Sequence, residues 1–429
     1  MIESRQKDLR HIFANVRCIL ARLLTRAQRW LANAALALGA TVVTLGVIEI
    51  GLRIAGTVPP SMYEADSTLL YRLVPGGRKT FTHVAANGGA RIRVAINAEG
   101  YRGPLLRAAG SARRVVVYGD SFIAGEFADD SMTFVRMLER DLAARAPTEV
   151  VNAGVIGYGP DQAYLRMQDE LPRLKPQVAV LAIFADNDLG DLVRDRLFQL
   201  RADSSLEAHR VTLHPTLERA LTAQAHPTGW RRLHLVRWVE RKRRGAPETL
   251  PPMRSTRNDP PFSMKGYSAW AMFHAERQFK DMQTHPDTVI DLLGDSYDVD
   301  VSATPDAPSA RYKVALMDRL LGAMHDDMTK RGMPFVLVII PSPIDACEAY
   351  DVKVDTVAYP KYERRRITGT IDSLAAWHGI KRLDLWTPFR ANNACDLYYR
   401  GGDLHWKANG QALAAKLLSD SLTAWKLAP

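Results

Sequence analysis

Cysteine is scarce in this chain, and its scarcity excludes two classes of stabilising centre. The 429 residues include three cysteines, Cys18, Cys347 and Cys395. A disulfide-dense scaffold and a four-cysteine zinc site both need more thiols than that. The histidines that might replace them are scattered through one segment, at His226, His234, His274 and His285, without metal-ligand spacing. We therefore expect no metal and no other cofactor.

Charged side chains are absent from one long run near the N-terminus. The 19 residues from Trp30 to Ile48, WLANAALALGATVVTLGVI, carry no charge, and at about 1.5 Å per residue they cross about 28 Å, close to a bilayer core. Residues 1–29 hold seven basic and two acidic side chains, which predicts an N-terminus inside and the bulk of the chain outside.

The alternatives to a membrane anchor are a cleaved signal peptide and a buried core helix. The long basic region and the extended apolar run favour the anchor. The predicted location is the cytoplasmic membrane, with a single span and a catalytic domain that is periplasmic or extracellular. The formal net charge is +10. The basic residues of the N-terminal tail are explained by the orientation of the chain in the membrane, so we expect no nucleic-acid partner.

After residue 110 the pattern changes to short apolar runs that alternate with helical stretches. Such alternation predicts βαβ units, and so a parallel sheet with helices on both faces. The predicted strands are 115–118, 149–152, 178–184, 335–340 and 381–385. The predicted helices are 132–145, 161–174 and 308–330. In sheets of this kind, sites form beyond the carboxyl ends of the strands.

This pattern divides the chain into four parts. They are a basic cytoplasmic tail (1–29), a transmembrane helix (30–52), a linker and lead-in (53–110) and an α/β domain (111–429) with a mainly helical insertion at about 194–309. No catalytic role is expected for the lead-in. Within the insertion, residues 230–244 (WRRLHLVRWVERKRR) have two interpretations. They are a basic helix that binds anionic lipid or an acidic polymer, or they are a solvated helix with ordinary packing contacts. The second reading is favoured, because the apolar residues form no clean stripe.

Residues that carry chemistry follow the first three strands of this domain. Gly119-Asp120-Ser121 places an exposed hydroxyl at a strand end, Asn152-Ala153-Gly154 lets a backbone N–H approach it, and Asn187 offers a side-chain donor. Asp403-Leu404-His405-Trp406 precedes the last helix and supplies a histidine with a carboxylate beside it. Together they make a nucleophile, oxyanion donors and a general base, which is the equipment for acyl transfer.

These four blocks, in this order, resemble those of the SGNH (GDSL-type) hydrolase family. The stretch INAEGYRGPLLRAAGSARRVVVYGDSFIAGEF, followed by NAGVIGYG and FADNDLGD, resembles its membrane-anchored branch, and the similarity covers about residues 97–192 and 398–418. The resemblance implies a three-layer α/β/α fold with Ser121 as nucleophile and His405 as general base. It also implies an oxyanion hole made by the Ser121 amide, Gly154 and Asn187.

Each assignment has a structural alternative. Ser121 could be a helix N-cap, Gly154 a turn residue and Asn187 an Asx-turn residue, but four blocks in order favour the functional reading. A second Gly-Asp-Ser at residues 294–296 lacks the other blocks and is interpreted as a turn.

The acid that orients His405 departs from the commonest family pattern. The family usually places an acid three residues before the histidine, where this chain has Gly402, and Asp403 stands two before it. Asp403 is predicted to orient His405. If it points away, Asp396 or a backbone carbonyl is the alternative.

These residues predict a serine esterase of the cell envelope. Its expected substrates are acyl esters, acetyl esters above all, on an envelope glycan or lipid. An O-acetyltransferase of a surface polysaccharide or peptidoglycan is one alternative, and a non-catalytic scaffold or binding protein is another. Cys347 follows a predicted strand and Cys395 precedes the Asp403 block, so a disulfide between them is a hypothesis for an oxidising compartment.

Overall fold

The computed structural model describes residues 2–56, 58, 61–83, 88–108, 110–244, 266–294, 296–400 and 403–428. Within this part of the chain there are thirteen β-strands, in chain order β1 (Tyr63–Asp66), β2 (Leu70–Leu73), β3 (Arg78–Thr82), β4 (Arg91–Ala95), β5 (Arg113–Gly119), β6 (Thr148–Gly154), β7 (Val178–Ala185), β8 (Phe198–Leu200), β9 (Leu206–Ala208), β10 (Thr212–Leu213), β11 (Thr288–Val289), β12 (Phe335–Pro341) and β13 (Lys381–Asp384).

The same described residues form fifteen α-helices. In chain order these are α1 (Ile2–Ile54), α2 (Ser121–Ala124), α3 (Phe134–Ala143), α4 (Pro160–Leu174), α5 (Asp188–Asp195), α6 (Pro215–Ala225), α7 (His234–Arg244), α8 (Tyr267–Thr284), α9 (Val299–Ala303), α10 (Pro308–Lys330), α11 (Pro343–Ala346), α12 (Arg366–Trp377), α13 (Trp386–Ala391), α14 (Ala394–Leu397) and α15 (Ala408–Ala424).

Five parallel strands form the central sheet, in the order β13-β12-β7-β5-β6. The predicted α/β class is confirmed, and all five predicted strands are present with both ends within two residues of the prediction. These strands read as apolar runs because a parallel sheet is covered on both faces; β7 and β12 are buried along their whole length.

Strand order reverses between β5 and β7. The chain goes from β5 to β6 on one side of the sheet and then crosses to β7 on the other. A crevice opens at such a switch point, beyond the carboxyl ends of the strands. The register pairs Gly119 with Gly154 and Ala185 with Pro341. The segments that follow β5, β6, β7 and β12 therefore leave the sheet side by side.

The lead-in folds as two antiparallel hairpins, β1–β2 and β3–β4. It belongs to the same compact unit as the sheet, which lies within Pro59–Pro227 and Pro247–Pro429. The insertion holds helices α6 to α9, as expected, but also the short strand pairs β8–β9 and β10–β11. The second Gly-Asp-Ser lies in it; Gly294 and Ser296 are in neither helix nor strand, and Asp295 is outside the described residues.

A second compact unit lies within Met1–Val58 and Thr228–Ala246. Its segment Leu24–Ile54 contains an 18-residue window with a mean hydropathy of 2.0 and is long and apolar enough to span a membrane. Glu49, which directly follows the uncharged run, accepts hydrogen bonds from the backbone N–H groups of His234 and Leu235, each at 2.8 Å. These bonds satisfy two free donors at the start of α7, the helix of the basic segment.

Candidate active site

Ser121 is the first residue of α2, immediately beyond the end of β5. Asp120 caps this short helix by accepting a hydrogen bond from the Phe122 N–H at 2.9 Å. The turn is tight: a Cβ added at Gly119 would lie 2.6 Å from Ile123 Cγ1 and 3.2 Å from the Ala182 carbonyl oxygen. The N–H of Ser121, as the first in its helix, has no intrahelical acceptor.

His405 and Asp403 complete a chain of hydrogen bonds with this serine. Nε2 of His405 lies 2.8 Å from Oγ of Ser121, and Nδ1 lies 3.1 Å from Oδ1 of Asp403. The same carboxylate oxygen accepts the His405 backbone N–H at 3.1 Å. The alternative acid, Asp396, instead accepts from the side chain of Asn393 at 2.6 Å. The structure thus places Asp403 beside the histidine, in the arrangement of an acyl-transfer triad.

Aromatic rings hold the imidazole of His405 in place. Phe122, the residue after the serine, stacks on it with centroids 5.0 Å apart and an interplanar angle of 27°. Phe127 meets it edge-on, also at 5.0 Å. Trp406 is buried against Phe122, and the Tyr399 N–H donates to the His405 carbonyl oxygen at 2.9 Å. Packing on several sides restricts the ring to few rotamers and so fixes the direction in which Nε2 points.

Carboxylates surround His405 and favour its charged form. Burial disfavours the imidazolium, but the hydrogen bond to Asp403 and the charges of Glu126, Asp403 and Asp120 outweigh it and raise the pKa of His405 to about 9. Glu126 is the unexpected member of this set. Its Oε2 lies 3.5 Å from Nε2, the nitrogen that faces the serine.

Two residues at this site escaped the sequence analysis. Glu126 follows Ser121 by five positions with no motif of its own, and His83 comes from the lead-in. Nε2 of His83 lies 3.1 Å from Oδ2 of Asp403. Burial raises the pKa of Asp403, but hydrogen bonds and charge from His405, together with the bond to His83, leave it below its usual value. The alternating pattern of RKTFT and RIRVA around Gly88-Gly89 would have predicted the hairpin, but not this contact.

Asn187 lies at the end of β7, at the N-cap position of α5, and its side chain is buried. Its Nδ2 donates to Oδ2 of Asp191 at 3.2 Å, which sets the orientation of the amide and leaves its second hydrogen for another acceptor. Asp191 is held by Arg194 at 2.6 Å, and Arg194 also donates to the Gly157 carbonyl oxygen. This arrangement suits the donor role predicted for Asn187.

The N–H of Gly154, the predicted oxyanion donor, is engaged within the protein. It donates to Oδ1 of Asn152 at 3.0 Å, and an oxyanion would have to share or replace this bond. The absence of a side chain has a separate consequence. A Cβ at this position would lie 2.2 Å from the Ala124 nitrogen and 2.6 Å from the Ile123 carbonyl carbon. Gly154 therefore lets the end of β6 pack directly against the backbone of α2.

The insertion supports α5, the helix that follows Asn187. Oδ2 of Asp298 accepts the backbone N–H groups of Leu189 and Gly190, both at 3.1 Å. The buried Lys313 neutralises this carboxylate at 2.7 Å and that of Asp300 at 2.9 Å. These bonds satisfy free donors in the first turn of α5 and hold the helix start in place.

A disulfide joins Cys347 and Cys395, with Cα atoms 4.9 Å apart. Cys347 ends α11, beyond β12, and Cys395 lies in α14. Three residues after Cys347, the Tyr350 hydroxyl donates to the Asp403 carbonyl oxygen at 2.8 Å. The disulfide and this hydrogen bond both tie the segment after β12 to the segment that carries Asp403 and His405.

Comparisons with known proteins give a likeness to solved structures alone. No family model matches the sequence, and no curated protein matches it significantly. A lipase/acylhydrolase from Enterococcus faecalis is 15% identical, with a TM-score of 0.35 over 73% of this chain and 96% of that one. A putative lipolytic protein of the G-D-S-L family from Desulfitobacterium hafniense is 12% identical (TM-score 0.33; 72% and 99%). The esterase EstA from Pseudoalteromonas sp. is 10% identical (TM-score 0.33; 73% and 98%). At these values of identity and TM-score, the likeness does not assign a function to this chain.

Proposed function

We propose that this chain is a membrane-anchored serine esterase that removes acyl groups, acetyl in the first instance, from an envelope glycan or lipid. The observation that carries the proposal is the hydrogen-bonded series Ser121, His405 and Asp403. A hydroxyl, an imidazole and a carboxylate in this order activate the hydroxyl as a nucleophile. A binding protein would need none of these contacts.

The reaction follows from this geometry. Oγ of Ser121 attacks the ester carbonyl carbon while its proton passes to Nε2 of His405, and Asp403 stabilises the imidazolium through Nδ1. The Ser121 N–H and the Asn187 amide hold the oxyanion. The ester C–O bond then breaks, the alcohol leaves with the proton from Nε2, and an acyl-serine remains. Water, deprotonated by His405, attacks the acyl-serine; the bond between the acyl carbon and Oγ breaks, Nε2 returns the proton to Oγ, and the acid is released.

The test uses the full chain purified in detergent, with a nitrophenyl acetate substrate and a serine-reactive fluorophosphonate. Ser121→Ala and His405→Ala should lose labelling, and turnover should fall by roughly 10³-fold or more. The matched control is Ser296→Ala, in the second Gly-Asp-Ser, which should label and turn over like the wild type. A folded wild-type protein that neither labels nor turns over would refute the esterase and support the scaffold alternative.

The acceptor distinguishes an esterase from an O-acetyltransferase. A sugar hydroxyl that reaches the acyl-serine before water takes the acyl group onto a glycan. The acyl-enzyme should therefore be formed with an isotopically labelled acetyl ester, with an envelope oligosaccharide added. Release of free labelled acetate would support the esterase. A labelled acetyl ester on the oligosaccharide would instead support the O-acetyltransferase.

The proposed anchor is supported by the apolar segment Leu24–Ile54. With the N-terminus inside, Cys18 lies on the cytoplasmic side. A maleimide that does not cross membranes should then label Cys18 only after the cells are permeabilised. Labelling in intact cells would contradict this orientation.

A further inference from the structure

The Asp403 carboxylate lies between two imidazoles. Oδ1 faces Nδ1 of His405 at 3.1 Å, and Oδ2 faces Nε2 of His83 at 3.1 Å. One of these rings belongs to the base and the other to the lead-in, 320 residues away in the chain. A carboxylate with partners on both oxygens has a fixed plane, whereas one held on a single oxygen can turn about its last bond.

His83 is enclosed and its backbone is fixed. Only 3% of its side chain is exposed, its ring stacks on Phe127 at 4.5 Å, and the edge of Tyr399 lies 4.6 Å away. Its backbone N–H donates to the Ala90 carbonyl oxygen at 2.8 Å.

The tautomer of His83 follows from its surroundings. Nδ1 of His83 is buried and has no hydrogen-bond partner among the described residues. The carboxylate oxygen that faces Nε2 can only accept a hydrogen bond, so Nε2 carries a hydrogen and donates it to Asp403.

His83 lies between β3 and β4, and this hairpin is bonded to the segment after α2. Arg93, on β4, forms a two-pronged ion pair with Asp129 at 2.9 and 3.0 Å. Arg102, whose side chain is 4% exposed, bonds to Asp130 at 2.9 Å and to the carbonyl oxygens of Ala124, Gly125 and Ala128. The segment held in this way also carries Phe127, which contacts both histidines.

We infer that His83 is a positioning residue: its Nε2–H fixes the Asp403 carboxylate, which in turn orients His405 toward Ser121. This inference rests on the proposed function and extends it to the lead-in. Among the described residues, His83 has no hydrogen bond or ring contact with Ser121 or Asn187; its hydrogen bond acts on Asp403, while its ring packs on Phe127. The lead-in hairpin thereby supplies a residue that positions the Asp403 carboxylate.

A double-mutant cycle tests this dependence in the full chain. His83→Phe keeps a ring of similar size but removes the donor, and should lower kcat roughly 10- to 100-fold, as for other supporting hydrogen bonds, with KM nearly unchanged. His83→Gln, which places an N–H near the same point, should recover most of the rate. In an Asp403→Ala background, His83→Phe should have almost no further effect. Equal effects in both backgrounds would show a purely structural role and overturn the inference.

A spectroscopic measurement removes the dependence on turnover. With ¹⁵N-labelled histidine, the hydrogen-bonded Nδ1–H of His405 is identified by its loss in His405→Ala. His83→Phe should shift or broaden this resonance, and His83→Gln should restore it, at an unchanged melting temperature. An unchanged resonance in His83→Phe would refute the inference even if the protein had no esterase activity. If the wild type is inactive while the resonance responds as expected, only the proposed function fails.

Discussion

Replacing Glu126 with glutamine should move the pH dependence of the proposed esterase reaction toward neutrality. Oε2 of Glu126 lies 3.5 Å from Nε2 of His405, with 27% and 21% of the two side chains exposed. At that distance a unit charge contributes about 1.2 kcal/mol to the imidazolium in a water-like medium, and more at lower dielectric constant. This corresponds to about one pH unit. The pKa of His405, about 9 in the wild type, should therefore fall to about 8.

His405, as the proposed general base, works only when it is neutral, so the reaction rate reports this change in pKa directly. At pH 7 roughly 1% of His405 is neutral with a pKa of about 9, and roughly 10% with a pKa of about 8. The Glu126→Gln variant should thus have up to about tenfold higher kcat/KM at pH 7, and the same kcat/KM as the wild type near pH 10.

The assay is kcat/KM for a nitrophenyl ester from pH 5.5 to 10.5, corrected for spontaneous hydrolysis. The matched control, Glu207→Gln, removes an exposed carboxylate that pairs with Arg201 and should leave the profile unchanged. A midpoint that stays in place or rises in Glu126→Gln would refute the electrostatic reasoning.

The same Glu126→Gln substitution that raises kcat/KM should lower the stability of the folded protein. A histidine whose folded pKa is raised stabilises the fold below its unfolded pKa, about 6.5, and loses that contribution as pH rises toward 9. Glu126→Gln should therefore melt below the wild type at pH 6, and the two should converge near pH 10. A difference that grows with pH would contradict the assignment.

Two further predictions concern packing and the disulfide. Gly154→Ala places a Cβ against the backbone nitrogen of Ala124, and should cost about 1–3 kcal/mol of stability and slow fluorophosphonate labelling, both measured on the purified protein. Normal stability and labelling would show that β6 and α2 separate easily. Replacing Cys347 and Cys395 with serine opens a link between residues 48 apart and should cost about 2–4 kcal/mol. Reductant should lower the wild-type melting temperature but not that of the double variant.

The sheet could be predicted from the sequence because buried parallel strands appear as short apolar runs. The strand β7, residues Val178–Ala185, is predicted almost to the residue, since all eight of its residues are buried. The hairpin β3–β4 was not predicted, because its strands are short, mostly exposed or half-buried and rich in basic residues, and so contain no apolar run.

The site was only partly accessible to sequence reasoning. Ser121 and His405 belong to motifs at the ends of elements, and the structure brings them to hydrogen-bonding distance, while their catalytic roles remain predictions. The contact of His83 with Asp403 joins distant parts of the chain through tertiary packing, and no local pattern encodes such a pair. The use of the Gly154 N–H by Asn152 depends on a side-chain rotamer, which spacing does not determine.

The separation of nucleophile and base has a consequence for biosynthesis. Ser121 and His405 are 284 residues apart, and at 5–20 residues per second the ribosome needs roughly 15 to 60 s to travel between them. Throughout that interval the nascent chain carries the serine without the histidine that the proposed mechanism requires. Under that mechanism Ser121 is unreactive while the chain is being made, and its reactivity begins only when the segment that contains His405 has folded against the sheet.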